Sequence, residues 1–138
     1  MITYLVDTSA YVHLGTDPAA QRRWDAEIET GAIGRCEAIR TEILFSAVNA
    51  EDRDEIDDDL AAMFAPVRVP KDAWRWVETA QYKLTQKGRH RAAGVVDLLL
   101  CATAVHHGLT LLHRDDDFAT VARVLKGVEQ QDVRRPGE

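Results

Sequence analysis

Short apolar runs alternate with longer segments of helical periodicity along most of the chain. The runs at residues 2–6 and 109–112 are almost uninterrupted, which is typical of central strands in a parallel sheet. Further short strands are predicted within residues 32–39 and 128–133, and an edge strand is predicted at residues 66–70, between two prolines. The apolar pattern therefore predicts a sheet of four to five strands.

Between these strands, apolar positions recur with the spacing of an α-helix. Helices are predicted over residues 19–29, 41–48, 51–64, 72–87, 95–107 and 118–125. Asp17 and Pro18 are typical of the N-cap and first residue of the first of these helices. The alternation predicts right-handed crossovers and a three-layer α/β/α fold with a central parallel sheet. The predicted domain covers residues 1–133, and residues 134–138 are predicted to form a loose tail.

Three of these helices carry more specific predictions. Helix 41–48 has apolar positions around most of its circumference, so it is expected to be mostly buried. The acidic segment at residues 51–59 has two interpretations, either the exposed first turns of a helix, where negative charge favours the dipole, or a patch that binds a partner. In helix 72–87, the candidate packing residues are Trp74, Val77, Tyr82 and Leu84.

The overall composition narrows the class of protein. With 138 residues, of which 46% are hydrophobic, the chain is long and apolar enough for one compact domain. The formal net charge of -6 argues against a protein that coats nucleic acid through a basic face. It does not exclude an enzyme that contacts nucleic acid briefly, because cations bound at an acidic site reverse the local charge.

The cysteines and the N-terminus bear on the cellular compartment. Cys36 and Cys101 stand among apolar or small neighbours, so a single disulfide is possible, but two buried thiols are favoured. The chain shows no basic leader segment, and no apolar run approaches the roughly 20 residues that span a bilayer. We therefore expect a cytoplasmic protein without a membrane segment.

Acidic side chains stand where a parallel-sheet protein would gather them. Asp7 follows the first strand, Asp115 and Asp117 follow the strand at residues 109–112, and Asp97 opens an apolar helix. Glu42 lies on a helix-like segment between the first two. Ligand sites in such sheets form beyond the carboxyl ends of the strands, where these carboxylates would repel one another unless a cation binds.

A hard divalent cation such as Mg²⁺ or Mn²⁺ prefers oxygen ligands and would offset several carboxylates at once. The pattern thus predicts a hydrolytic or phosphoryl-transfer site. Each position also has a plainer interpretation when it is taken alone: Asp7 as a helix cap, Glu42 as a surface residue, and one of the acids at residues 115–117 as a solvated cap. Their joint placement is what favours a site.

Four motifs in a fixed order carry a family resemblance. They are Leu5-Val6-Asp7-Thr8-Ser9-Ala10, Thr41-Glu42, Asp97-Leu98-Leu99-Leu100-Cys101-Ala102-Thr103-Ala104 and Arg114-Asp115-Asp116-Asp117-Phe118. With these motifs the chain resembles a PIN-domain ribonuclease over nearly its whole length, and most closely a VapC-type toxin of bacterial or archaeal toxin–antitoxin modules.

The resemblance implies a PIN-like fold and a metal-dependent endoribonuclease with Asp7, Glu42, Asp97 and Asp115 as its four acidic positions. It implies that Asp7 and Asp97 bind Mg²⁺ (or Mn²⁺) directly. Asp115 would bind the ion directly or through water, Asp117 would be a fifth carboxylate, and Glu42 would orient water or a second ion.

One residue departs from the family pattern. The family commonly has Thr or Ser two residues before the Asp115 position, where this chain has His113. This departure affects the fine positioning of Asp115. His113 is interpreted either as a packed residue at a strand end, which is favoured, or as a contact to substrate.

The resemblance also implies partners: RNA as substrate, a second copy of the chain in a homodimer, and a small VapB-like antitoxin whose C-terminal segment covers the acidic pocket. One basic stretch could contact RNA phosphates, or it could be only the solvated end of a helix. It comprises Lys83, Lys87, Arg89, His90 and Arg91, and Arg114 adjoins the acidic residues.

Other functions stay open at this point. The chain could be an RNA-processing nuclease without an antitoxin, or a degenerate PIN domain that only binds, although it retains every acidic position. A phosphatase of the haloacid dehalogenase type would need a second Asp two residues after the first, and Ser9 stands there.

Overall fold

The computed structural model describes residues 1–135 and contains one five-stranded sheet. Its strands are β1 (Tyr4–Val6), β2 (Ile33–Arg35), β3 (Ala65–Pro66), β4 (Thr110–His113) and β5 (Gln130–Asp132). All neighbouring strands are parallel, in the order β3-β2-β1-β4-β5. In the centre, Leu5 of β1 pairs with Gly34 on one side and with Leu111 on the other. The predicted α/β fold with a central parallel sheet is thereby confirmed.

Seven helices flank the sheet within the described residues. They are α1 (Thr8–Thr16), α2 (Pro18–Glu29), α3 (Glu37–Leu44), α4 (Ala50–Met63), α5 (Ala73–Gln86), α6 (Val95–His107) and α7 (Asp116–Val124). Asp17 caps α2 as predicted, because its carboxylate accepts a hydrogen bond from the Ala19 N–H at 3.0 Å. Gly108 ends α6 in the left-handed conformation, with φ of 69°, which glycine adopts at little cost.

The core covers both faces of the central strands. Leu5 and Leu111 are fully buried, and so is Trp24 of α2. The Trp24 ring meets Tyr4 edge-to-face at 5.2 Å, and its indole N–H donates to the Val133 carbonyl oxygen at 2.7 Å. An indole buried in this way needs such a partner. The contact ties the end of the last strand back to the second helix.

Close packing between strands depends on Gly34 in β2. A Cβ at this position would overlap the Val67 side chain and would approach Ile2 at 3.1 Å. The absence of a side chain at Gly34 therefore leaves room for Val67 and Ile2 to pack against the backbone of β2.

The prediction for residues 41–48 was wrong in extent and burial. The helix begins at Glu37 and ends at Leu44. Phe45 and Val48 lie in the turn that follows and are 92% and 83% exposed. Asn49 then caps α4 with its side chain. The apolar residues after Leu44 therefore do not continue a buried helix, because a new helix starts within a few residues.

The packing residues predicted in the helix after residue 72 were half right. Val77 and Leu84 are buried, whereas Trp74 and Tyr82 are 62% and 66% exposed. Only one face of α5 contacts the core, at positions that recur every three or four residues. Trp74 and Tyr82 lie outside that face.

The smaller predictions have mixed outcomes. Cys36 and Cys101 are buried free thiols, which confirms the favoured interpretation. The acidic segment at residues 51–59 lies within α4 and is largely exposed, as expected for a solvated helix face. Among residues 1–135, none of the helices has the length and apolar character required to cross a bilayer. The tail predicted at residues 134–138 lies mainly outside the described residues.

Candidate functional site

The acidic residues lie beside the point at which the strand order of the sheet reverses, between β1 and β4. From β1 the chain first builds β2 and β3 on one side and then returns to build β4 on the other. The carboxyl ends of β1 and β4 thus border the crevice in which ligands bind in such folds. Asp7 directly follows β1, and its N–H donates to the Leu112 carbonyl oxygen at 2.9 Å. Asp115 follows β4 by two residues.

Asp7 is both a helix cap and a buried carboxylate, being only 4% exposed. Its Oδ2 accepts from the Ser9 N–H at 3.1 Å and from the Ser9 hydroxyl at 2.6 Å. Burial nevertheless raises the pKa of Asp7, against the effect of those hydrogen bonds, and the charge of Glu42 adds to the rise. The capping role therefore does not explain why a charge is tolerated here.

Asp97 shows that the predicted carboxylates lie close together. It sits in the first turn of α6, where its Oδ2 accepts from the Gly94 N–H at 3.2 Å. Burial raises the pKa of Asp97 to about 6, and the negative charges of three neighbours raise it further. These neighbours are Asp7, Glu42 and Asp115. Asp97 is thus within electrostatic reach of the other three side chains, and the four are here called the acidic edge.

Glu42 reaches the acidic edge from α3. Its Oε1 accepts from the Thr8 hydroxyl at 2.5 Å. The position of α3 is set in part by Arg40, whose guanidinium donates to both carboxylate oxygens of Asp57 on α4, at 2.8 and 2.9 Å. This paired geometry is the strongest form of an Arg–carboxylate contact.

Asp115 is held by its neighbours in sequence and by His113. It caps α7 by accepting from the Asp117 N–H at 3.0 Å, and its own N–H donates to His113 Nδ1 at 3.0 Å. Because Nδ1 accepts this bond, the ring proton of neutral His113 is on Nε2, which donates to Gln130 Oε1 at 2.6 Å. Asp117 is exposed on the first turn of α7.

The structure supports the packing interpretation of His113. The side chain is 2% exposed, and its ring lies 5.3 Å from the ring of Phe118. At the position where the family commonly has a hydroxyl, the imidazole accepts the backbone hydrogen bond that orients Asp115.

Ser9 links the two halves of the acidic edge, a contact that sequence reasoning missed. Its hydroxyl accepts from the Arg114 N–H at 2.8 Å while donating to Asp7. It therefore connects the loop after β4 to the carboxylate after β1. The sequence signal was the serine two residues after Asp7, which belongs to the first of the four motifs.

The donor set fits a hard divalent cation. All four side chains offer oxygen, and within residues 1–135 none of the four forms an ion pair with Lys or Arg. In the same range, no group of three or more His, Cys, Asp and Glu side chains is already arranged as a metal cage. Mg²⁺ does not require one, since it commonly binds one or two carboxylates and keeps several waters.

Comparisons with known proteins agree with this architecture. The model of the PIN domain family matches residues 4–124. Ribonuclease VapC6 of Mycobacterium tuberculosis is 37% identical over 128 residues, which cover 93% of this chain and 92% of that protein.

Two solved structures share the fold at low sequence identity. VapBC2 from Rickettsia felis, bound to a DNA fragment from its promoter, has a TM-score of 0.78 at 14% identity and covers 95% of this chain and 98% of its own. VapBC-5 from Mycobacterium tuberculosis, a member of the VapBC family of toxin–antitoxin systems, has a TM-score of 0.61 at 18% identity and covers 96% and 98%. The chain belongs to the PIN domain family, and within it to the VapC ribonucleases.

Proposed function

We propose that the chain is a metal-dependent endoribonuclease toxin that hydrolyses RNA phosphodiester bonds and is neutralised by a small VapB-like antitoxin. The observation that carries this proposal is the acidic edge, where four carboxylates gather and none forms an ion pair with Lys or Arg of the described chain. The name of the related VapC6 protein, a ribonuclease, supports the choice of reaction.

The four residues of the acidic edge would have two roles, metal binding and orientation of the attacking water. Asp7 and Asp97 would hold Mg²⁺ or Mn²⁺, since burial raises the pKa values of both carboxyl groups. When bound, the ion would lower the pKa of a coordinated water and offset the charge of the phosphodiester. Glu42 and Asp115 would orient the attacking water through their carboxylate oxygens.

Two further residues hold these groups in place. Ser9 donates to Asp7 and so fixes the orientation of one proposed ligand. His113 accepts from the backbone of Asp115 and fixes the turn from which that carboxylate projects. Hydrogen bonds of this kind around proposed ligands commonly tune metal affinity and activity.

The proposed partner is an antitoxin that covers the acidic edge. The VapBC-5 neighbour belongs to a toxin–antitoxin system, and the fold is shared. Phe45 and Val48, both strongly exposed, directly follow the helix that carries Glu42. Apolar side chains beside a site favour a protein partner there. We also propose that the chain forms a homodimer and that it acts on RNA in the cytoplasm.

RNA cleavage by the purified protein tests the reaction. We expect cleavage of tRNA and structured RNA pools with Mg²⁺ or Mn²⁺, none with EDTA, and none by Asp97→Asn, which keeps the shape of the side chain but loses its charge. The matched control is Asp54→Asn, which removes an exposed acid of α4 and should cleave like the parent. Equal cleavage by the parent and Asp97→Asn would refute the assignment of the site, and no cleavage by the parent would favour a module that only binds.

Growth of cells that express the chain tests the toxin. We expect expression to stop growth, the Asp97→Asn variant to be tolerated, and co-expression of a small protein encoded beside this gene to restore growth. If that protein binds the chain but leaves RNA cleavage unchanged, the proposed neutralisation is wrong.

A further inference from the structure

A cavity of about 490 Å³ lies outside the acidic edge, between α5, the C-terminal half of α6 and the turn that follows α7. Its volume is in the range of sites that take a ligand the size of a nucleotide. None of the four residues of the acidic edge lines it. On α6, its lining begins at Ala102 and ends at His106, which are about 8 and 14 Å beyond Asp97 along the helix axis.

The rim of this cavity is cationic. Arg75 and Lys83 of α5 and Lys126 after α7 line it, all three are exposed, and none forms an ion pair within residues 1–135. His106 adds an imidazole, and Asp72 is the one acid among the lining residues. In a chain whose net charge is -6, such a local excess of cations favours an anionic ligand. The cavity is called the cationic cavity below.

The interior of the cationic cavity is apolar and contains an aromatic ring. Small and apolar side chains such as Ala80 and Leu125 line it, together with half-buried Trp76. A flat indole beside several cations is the combination that binds single-stranded nucleic acid, since bases stack on the ring and phosphates meet the charges. An inorganic anion would use the cations but not the ring.

A series of cations leads from the cationic cavity toward the acidic edge. Lys83 lines the cavity, and Lys87 follows it by one helical turn at the end of α5. The loop to α6 then carries Arg89, His90 and Arg91, all of them exposed. That loop ends at Gly94, whose N–H donates to Asp97. Phosphates of one strand could therefore meet positive charge over the whole distance between the two sites.

We propose that the cationic cavity binds the single-stranded flank of an RNA substrate while the bond to be cleaved lies at the acidic edge. Trp76 stacks on a base, and Lys83, Arg75 and Lys126 contact phosphates. The proposal rests on the proposed function for the identity of the ligand. It makes RNA with an unpaired segment next to the cleaved bond the favoured substrate class.

RNA binding in EDTA tests the cavity separately from cleavage. The probe is a fluorescein-labelled oligouridylate of roughly 12 nucleotides, followed by fluorescence anisotropy. We expect the Lys83→Ala/Lys126→Ala variant to bind on the order of 10-fold more weakly and to lose about 2 from the slope of log K against log salt. The control is Arg22→Ala/Arg23→Ala, which removes two exposed cations of α2 and should change affinity less than about 2-fold.

Tryptophan fluorescence identifies the stacking residue. In a Trp74→Phe background, the remaining indoles are Trp76 and the fully buried Trp24. We expect the oligouridylate to quench this protein and not a variant in which Trp76 is also Phe. Quenching that persists without Trp76 would place the bases elsewhere.

The outcomes separate this proposal from the proposed function. Equal binding by Lys83→Ala/Lys126→Ala and the α2 control, or no binding of the probe by the parent, would overturn the accessory site, whether or not the protein cleaves RNA. An acidic protein partner that occupies the cavity while RNA binding is unaffected would also overturn it. Loss of cleavage in Asp97→Asn together with weaker RNA binding by Lys83→Ala/Lys126→Ala supports both proposals.

Discussion

The two ends of α6 present opposite chemistry. At the N-terminal end, half-buried Asp97 belongs to the acidic edge, where it accepts a hydrogen bond from the Gly94 N–H and buried Asp7 accepts from Ser9. At the other end, His106 lines the cationic cavity, whose Arg and Lys side chains are exposed. Buried charge costs free energy and must be supported by its surroundings, whereas exposed charge costs little. The acidic edge should therefore be sensitive to single substitutions in stability and activity, and the cationic cavity only in binding.

The largest effect is expected from Asp7→Asn. Asparagine can still accept the Ser9 N–H and cap α1, but it lacks the charge that would hold the cation. We expect RNA cleavage to fall by about 100-fold or more, with no loss of thermal stability in EDTA, because burial already disfavours the charge at this position. Initial cleavage rates and melting curves measure the two effects. A variant that melts much earlier than the parent would show that the charge of Asp7 stabilises the metal-free fold.

A smaller effect is expected from Ser9→Ala. It removes the hydroxyl that connects Asp7 to the Arg114 backbone, at 2.6 and 2.8 Å. We expect about 1 kcal/mol less stability toward urea and a loss of about 10- to 100-fold in metal affinity or activity. Thr30→Ala is the comparison, since it removes an exposed hydroxyl bonded to the Ala26 carbonyl oxygen at 2.9 Å, far from the acidic edge. Similar cleavage by both variants would mean that Ser9 does not position Asp7.

The pH dependence of stability tests the acidic edge without substrate. The pKa of Asp97 rises from an ordinary value of 3.8 to about 6 in the folded chain, so the folded state binds this proton more tightly than the unfolded state. Stability contributed by this group is therefore lost as the pH rises from about 4 to about 6. At pH 7.5 in EDTA, Asp97→Asn should be more stable than the parent by on the order of 1 kcal/mol, after allowance for solvent screening of a half-exposed carboxyl.

A second pH and added Mg²⁺ provide internal controls for this stability difference. At pH 4 the difference between Asp97→Asn and the parent should nearly vanish, and Mg²⁺ at pH 7.5 should stabilise the parent more than the variant. Urea titrations at the two pH values measure both effects. A difference that is independent of pH would mean that Asp97 does not titrate as a member of the acidic edge.

The smallest effect on stability is expected in the cationic cavity. Lys83→Ala/Lys126→Ala removes two exposed side chains without ion pairs in the described chain, so unfolding in urea should change by less than about 0.5 kcal/mol. A larger loss would mean that the lysines pack as well as carry charge, and it would weaken the contrast with Ser9→Ala.

The sequence was most informative where burial and periodicity coincide. All five strands lie within or beside the predicted runs, and α6 has the predicted bounds of residues 95–107. Exposure was harder to predict. Trp74 and Phe45 are large hydrophobic residues of the kind usually found in a core, yet both are exposed to solvent. Their burial depends on which neighbours, distant in the sequence, pack beside them.

The acids of the acidic edge could be predicted from the sequence, whereas the long-range hydrogen bonds that hold them could not. Strand ends indicated where Asp7 and Asp115 would lie, since parallel strands place their carboxyl ends at one edge. The contact between Ser9 and Arg114 joins residues that are 105 positions apart, so no local sequence pattern predicts it. The cationic cavity likewise joins Arg75 of α5 and Lys126 from the turn after α7, and the sequence showed only the basic stretch beside it.

The bond between Trp24 and Val133 bears on how the protein is made. It spans 109 residues, and Asp115 also belongs to the last part of the chain. A polypeptide still emerging from the ribosome lacks β4, Asp115 and the partner of Trp24, although its N-terminal region can already begin to collapse. The acidic edge can be completed only when nearly the whole chain is available, so a nascent or prematurely terminated copy would be inert toward the RNA of the cell that makes it.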